Sequence, residues 1–598
     1  MNSAAVAPLR RAIPLWLIVA CAFAFHGPLL VMRLAEHSFD AHFHMSMAST
    51  YAEHWFDPWN DKSLGGFSET TYPPLTHQWI AMLSRVMGLA YGFMVVIGTG
   101  ILLLPVGVYR FAKLWVNERA ASYGAFCSIF LGSLGLMAYH AGQIGTITAT
   151  TLFLLAIPFA YEYVVTGNKK DMLMGLGLSC TAAGAHHATM IFGLVFFIPP
   201  MFWLMLKDWR TANPEGSIFQ PLKRMILFVG LGTVGIVLVL LPYVLIMIKA
   251  PITETPIPHL SRSNFLLQPM WGMHFWVIPM GLVILALPYI FYKGCTEPRL
   301  RPLFFGFYFA LIFGLGGTTP LPRWVLGRAF EILTFERFTY WALILAMPIV
   351  GLMGIYLIDR FKTTAAVLLV AGCVAQAAMA VSWNVYFNVL GPAVNAEPVI
   401  KFLNENGHDK YRYITLGFGN ALSQIACYTN ATSVDGEYNS GRSLPEVTSH
   451  ASAQLSSSKF YGSEGMASLS DMLKHANRYG LKYIFVHDPY YEPMLTFGGW
   501  RKIDTVDSGR TTIWDRPGVP EAQPIPSSLK PPRWQGIMWG TIPFGVSLLT
   551  IVMAYLRVRE AAEEEEADIT TGETAAAPEQ PPLNAAGPAA APVIPSTT

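Results

Sequence analysis

The chain is 598 residues long, 53% hydrophobic and only 13% charged, with a formal net charge of +2. Soluble domains carry about 25% charged residues, so half that share excludes an ordinary water-soluble protein and points to a lipid-embedded one. A charge so near zero gives no reason to expect a nucleic-acid partner, and six cysteines, none in a CxxC pair, predict neither a structural zinc nor a disulfide framework.

In chain order, Arg10 and Arg11 precede an apolar run to Leu30 that lacks a small-x-small cleavage site, which reads as a retained first helix. A spanning helix needs about 20 mostly apolar residues. Twelve segments fit, near 12–32, 90–110, 121–139, 150–166, 172–187, 189–206, 226–248, 274–292, 302–316, 339–358, 364–384 and 534–556. Cytoplasmic turns favour Lys and Arg. With Arg10 and Arg11 inside, the inner turns hold Arg110 and Lys113, Lys169 and Lys170, Lys207 to Arg224, Lys293 to Arg301, Arg360 and Lys362, and Arg557 and Arg559. Every inner turn is basic, and both termini are expected in the cytoplasm. Merging 172–206 into one helix would put the later basic turns outside.

The outer segments are then a long loop, 33–89, two shorter loops, 249–273 and 317–338, and a polar region between the last two helices. The expected organisation is a membrane module over 1–387, an extracytoplasmic α/β domain over 388–530, a final membrane helix over 531–558 and a disordered cytoplasmic tail over 559–598. Within the α/β domain, YRYITLGFG and LKYIFVHD read as strands, and SLSDMLKHANRYG as a helix closed by Gly. The tail opens with EEEE at 563–566 and turns Ala/Pro-rich.

The first outer loop holds the densest chemistry, HSFDAHFHMSMASTYAEHW (37–55). Asp40 and His44 are four apart and share a helix face. A half-buried carboxylate there has a tunable pKa and can act as a general base. The competing reading makes Asp40 a helix cap and His42 and His44 interfacial residues. Asp40, His42 and His44 are also suitable ligands for a divalent metal, although His42 and His44 point to different helix faces.

The loop resembles the GT-C superfamily of membrane glycosyltransferases. The shared pattern is an Asp shortly after the first helix (Asp40), a stretch with AEHW, then Gly65-Gly66 and Tyr72-Pro73-Pro74-Leu75 leading into a helix. It is most similar to a bacterial and archaeal branch labelled "6-pyruvoyl-tetrahydropterin synthase-related" membrane proteins, through GAHHATMIF (184–192), FERFTYWALILAMP (335–348), VDGEY (434–438) and WDRP (514–517). The resemblance implies a polyprenyl-phosphate sugar donor and gives Asp40 the role of activating or positioning an acceptor hydroxyl. The family often has a second acidic residue in the next outer turn. Here HAGQIGT (140–146) puts His140 and Gln143 at that place, with no carboxylate.

Arg323, Arg328 and Arg337 in the loop 317–338 lie on the side where basic residues are disfavoured. Arg binds phosphate through a planar fork, so these three are candidates for a lipid-phosphate clamp, Arg337 foremost because it opens a membrane helix. The alternative is structural pairing with Glu331 or Glu336, and Arg328 and Glu331 are correctly spaced for it. His186 and His187 sit at the outer end of the fifth helix, where polar groups tend to be functional. His259 and Arg262 are weaker candidates. Trp55, Trp59 and Tyr72 suit either sugar stacking or an interfacial aromatic belt.

The expected protein is a multi-pass glycosyltransferase of the inner (cytoplasmic) membrane. It takes sugar from a polyprenyl phosphate to a glycan, lipid or protein acceptor, with His140, Gln143, His186, His187, Tyr72 and Glu336 contacting substrate. A transporter or flippase is the rival, weakened by the absence of related halves. A non-catalytic membrane subunit with a partner-binding outer domain is the third reading.

Overall fold

Long apolar runs in lipid must satisfy every backbone group internally, and the α-helix does so within one segment. The computed structural model describes residues 11–249, 259–386, 394–450 and 454–571 and shows a mainly helical, polytopic membrane protein. Among the described residues, six helices are long and apolar enough to cross a membrane: Leu89–Lys113, Glu118–Ala141, Ile144–Thr166, Phe219–Val239, Glu336–Trp383 and Arg533–Glu563. The count reaches eight if two bent pairs, His187–Phe196 with Ile198–Ala212 and Pro269–Met280 with Val283–Thr296, each make one span. Leu15–Val31 (α1) and Arg301–Gly314 are shorter apolar helices.

All twelve expected segments therefore carry helix, yet length and composition give six to eight spans. Part of the gap is breakage into shorter pieces. Another part lies in Glu336–Tyr386, one unbroken helical stretch except at Lys362, whose φ of 53° and ψ of −132° are not helical. A Cβ on Gly354 would meet Leu369 Cδ2 at 3.9 Å, whereas continuous helix would hold those residues about 22 Å apart. The stretch is thus two arms folded against each other at Lys362, matching the separate segments 339–358 and 364–384. Regular α-helix also yields to π-helix at Leu136–Ala141 and Met273–Val277, a local widening often found at functional sites.

After α1 the chain forms two short helices, Ala41–Glu53 (α2) and Leu75–Met87 (α3). Between them a two-residue ladder joins β1 (Trp59–Asn60) to β2 (Phe67–Ser68). The later polar region builds a four-stranded sheet in the order β3-β4-β6-β5 from Arg412–Leu416, Leu481–Val486, Arg501–Val506 and Thr511–Asp515. β3 and β4 are parallel and the other pairs antiparallel. The two segments read as strands are β3 and β4, rich in β-branched and aromatic residues. The expected helix is Gly462–Lys474, and a further turn ends at Gly480 in the left-handed conformation (φ 65°). β3 and β6 are buried along their whole length, while the edge strand β5 exposes Arg501, Lys502 and Asp504. Charges on an edge discourage pairing with another sheet.

Met1–Ser547 and Leu548–Thr598 are distinct units. In the second, helix continues to Thr571, beyond the point where a disordered tail was expected to begin, and so includes the backbone of EEEE. The expected tail beyond Thr571 lies outside the described residues, as do 250–258 of the expected loop 249–273 and 387–393 and 451–453.

Candidate functional site

The chain leaves α1 through Arg33 in the left-handed conformation, takes one 3₁₀ turn (Leu34–His37), and then docks on the end of the Glu118–Ala141 helix. Phe39 N–H donates to His140 O (2.7 Å) and Asp40 N–H to Ala141 O (3.0 Å). Gly142 makes this approach possible. Its φ is +75°, and a Cβ there would stand 2.5 Å from Ser38 Oγ and 3.0 Å from Asp40 N. Gly142→Ala should displace Asp40 while leaving the helices intact. Misplacement of a reacting group by about 1 Å costs about 10²-fold, so turnover should fall by that order with an unchanged circular dichroism spectrum; undiminished turnover would show that Asp40 needs no such support.

Asp40 occupies the N-cap position of α2, but its side chain caps nothing. The capping alternative therefore fails, and no hydrogen bond to its carboxylate is present among the described residues. The residue is surrounded by protein yet keeps partial exposure. Burial, and then the negative charge of Glu336, push its carboxyl up to about 7, against the pull of Arg337.

Glu336 and Arg337 open the long helix. Gln143 Nε2 donates to Glu336 Oε1 and to Thr334 Oγ1 (3.3 Å), and Thr146 Oγ1 donates to Gln143 Oε1 (3.2 Å). Arg337 Nη2 donates to Thr334 Oγ1 (2.7 Å), while its buried Nε has no partner among the described residues. Tyr72 and His186 meet over Gly145, where a Cβ would touch both at 3.3 Å. His186 is held by Thr189 (2.7 Å) and His187 by the Tyr243 hydroxyl (3.1 Å). His140 packs edge-on to His274, their ring centroids 4.7 Å apart.

Some expectations are corrected. His44 shares the first turn of α2 with Asp40, its N–H donating to Asp40 O (3.0 Å), but its Nδ1 is hydrogen-bonded to His77 Nε2 (2.9 Å). Burial pushes both imidazoles down, His77 to about 3, so the pair is neutral at physiological pH. His42 faces Glu36, His37 and Arg33, because consecutive alternate residues of a helix diverge. Asp40, His42 and His44 do not converge, and no group of three potential metal ligands occurs among the described residues. Arg323, not Arg328, pairs with Glu331 (3.2 Å) and also lies over the Phe330 ring. Arg328 and Glu331 lie together in the 3₁₀ segment Gly327–Glu331, yet Glu331 is taken by Arg323 from the preceding helix Leu321–Leu326. Arg328 is exposed.

Glu437 was not singled out by sequence. It lies within electrostatic reach of the site, since burial and then the charge of Asp40 raise its carboxyl. VDGEY contains it, but nothing in the local spacing links it to a loop almost 400 residues earlier.

No family model matches the chain, and no curated protein does. Among solved structures it is similar to ArnT from Cupriavidus metallidurans bound to undecaprenyl phosphate, with a TM-score of 0.51 and 12% identity over 85% of this chain and 99% of that one. The apo form of ArnT gives 0.51 at 11% identity, over 83% and 97%. The chain shares the fold of ArnT. The Archaeoglobus fulgidus oligosaccharyltransferase aligns over 81% of this chain and 70% of its own at TM-score 0.43 and 11% identity. In this fold the loop 33–89, the turn at 140–146 and the start of the Glu336 helix lie around Asp40.

Proposed function

We propose that the chain is a glycosyltransferase of the membrane, related to the branch named above, that transfers sugar from a polyprenyl-phosphate donor to an acceptor hydroxyl outside the cytoplasmic membrane. The observation that carries this reading is the carboxyl of Asp40, without a hydrogen bond, surrounded by protein, poised near neutrality and facing Arg337. Asp40 takes the proton of the acceptor hydroxyl. The resulting oxygen attacks the anomeric carbon, the carbon–oxygen bond to phosphate breaks, and the electron pair leaves on the lipid phosphate with inversion. Arg337 stabilises that charge as it develops, aided by the helix N-terminus beside it. Arg323 is already partnered by Glu331, so the clamp rests on Arg337. Support comes also from Tyr72, the adjacent Glu336 and Arg337, and Glu437, which come from three remote segments and lie within electrostatic reach of Asp40.

The test incubates the purified protein in nanodiscs with a panel of polyprenyl-phosphate sugars and measures released polyprenyl phosphate. Release that requires Asp40 is expected. Flux of a soluble solute into proteoliposomes without any release would replace this reading with a transporter.

The topology that goes with it has twelve spans, cytoplasmic termini and the sheet outside. Phe497, beyond β4, is 91% exposed, and Cys295, in an expected inner turn, is exposed too. Phe497→Cys should react with a membrane-impermeant thiol reagent in spheroplasts, while Cys295 reacts only after lysis. The reverse pattern would invert the topology.

A further inference from the structure

Residues 433–438 run as a clamp against the first outer loop. Ser433 N–H donates to Lys62 O (2.9 Å), Leu64 N–H to Asp435 O (3.1 Å) and Gly65 N–H to Ser433 O (2.8 Å). The Tyr438 hydroxyl donates to Thr71 O (2.9 Å), and its ring stacks on Phe43 at 5.5 Å. The helix Ala421–Tyr428 seals the other side: Asn420 Nδ2 donates to Phe39 O (3.3 Å) and Cys427 Sγ to His42 O (3.4 Å). Within this joint Glu437 Oε2 accepts from Ser423 Oγ (2.6 Å), whereas Oε1 is buried with no partner among the described residues. A buried carboxyl oxygen left unsatisfied is destabilising, which a ligand would relieve.

We propose that Glu437 is a positioning residue of the site, its Oε1 donating a hydrogen bond to a hydroxyl oxygen of the bound sugar and holding it against Asp40. The inference rests on the glycosyltransferase reading. The electrostatics agree: burial and then the charge of Asp40 push the Glu437 carboxyl up to about 8, opposed by Ser423 and Arg442. The charged and titratable groups around the pair are Glu336, Arg337 and Tyr72 on the Asp40 side and Arg442 and Cys427 on the Glu437 side. The two protons leave in coupled steps. Activity needs Asp40 without its proton and Glu437 with it, which gives a narrow bell in pH.

Two measurements on the full-length protein decide this. In the first, rate is followed against pH. The wild type should lose about tenfold per pH unit above the upper limb. Glu437→Gln keeps an N–H donor at every pH and should lack that limb; Glu437→Asp should keep it at a lower rate, and serves if the Gln variant fails to fold. An upper limb surviving in Glu437→Gln overturns the proposal. In the second, infrared titration follows the protonated carboxyl band that Glu437→Gln removes. Asp40→Asn should move its midpoint down, and an unmoved midpoint overturns the proposal even if no sugar is transferred. If the wild type transfers no sugar from any donor, the glycosyltransferase reading fails, and the infrared arm still decides whether the carboxyls are paired.

Discussion

Asp40→Asn should abolish transfer, with a loss of roughly 10²–10⁴-fold or more, the range attributed to a positioned base. Asn is nearly isosteric and as good a helix cap as Asp, so a structural role would leave activity intact, and wild-type turnover in this variant would remove Asp40 from the chemistry. The same substitution has a second readout that needs no substrate. The Asp40 carboxyl is raised to about 7 in the fold, from about 4 in an unfolded chain, so the folded state holds the proton more tightly. The associated stability is fully present below the unfolded value and is lost as pH rises through the folded one. Asn never ionises and escapes that loss. Asp40→Asn should therefore melt higher than wild type at about pH 8, with the advantage shrinking on acidification. The wild-type rate should correspondingly rise with pH through about 7.

Arg337 carries the next largest effect. Hydrogen bonds to charged groups contribute about 1.5–3 kcal/mol, and 1.4 kcal/mol is about tenfold in affinity. Arg337→Lys keeps the charge but loses the fork, and should weaken polyprenyl-phosphate binding about tenfold. Arg337→Ala should weaken it about 10²-fold. Binding to purified, monodisperse variants separates this from instability, and equal affinity in wild type and Arg337→Ala would place the phosphate elsewhere. Glu336, held by Gln143 and Thr334, provides a contrast: Glu336→Gln removes a neighbouring negative charge and should lower the pH at which Asp40 becomes active.

Much of this site was legible in the sequence. Asp40 was conspicuous by its spacing to His44 and by the resemblance, and Tyr72 and Gln143 through motifs of the resemblance. Glu336 was conspicuous as a possible partner of the arginines, and His186 and Arg337 as polar residues at the end of an apolar run, where lipid makes polarity expensive. Their partners were not. Arg328 and Glu331 are correctly spaced to pair, but Glu331 bonds Arg323 from the preceding helix, a partner that spacing of three does not suggest. His44 looked like the companion of Asp40, but its real partner, His77, comes from α3. Glu437 and Gly142 were invisible for a different reason. Each matters through a segment remote from it or through a backbone approach, and neither leaves a periodic trace. The α/β segment was easier, since β3 and β4 declare themselves by β-branched and aromatic content. The span count was harder, because π-helical widening and sharp bends shorten regular helix.

The arm from Glu336 to the bend at Lys362 is about 39 Å long at 1.5 Å per residue, against a hydrocarbon layer of about 30 Å. A helix that overshoots the oil by this margin lifts one of its ends into the headgroups. In the proposed topology, which puts Lys362 on the inner surface, Glu336 and Arg337 stand at the waterline of the opposite leaflet. Two reactants that share no solvent, one greasy and one hydrated, can meet there without either being extracted from its own phase.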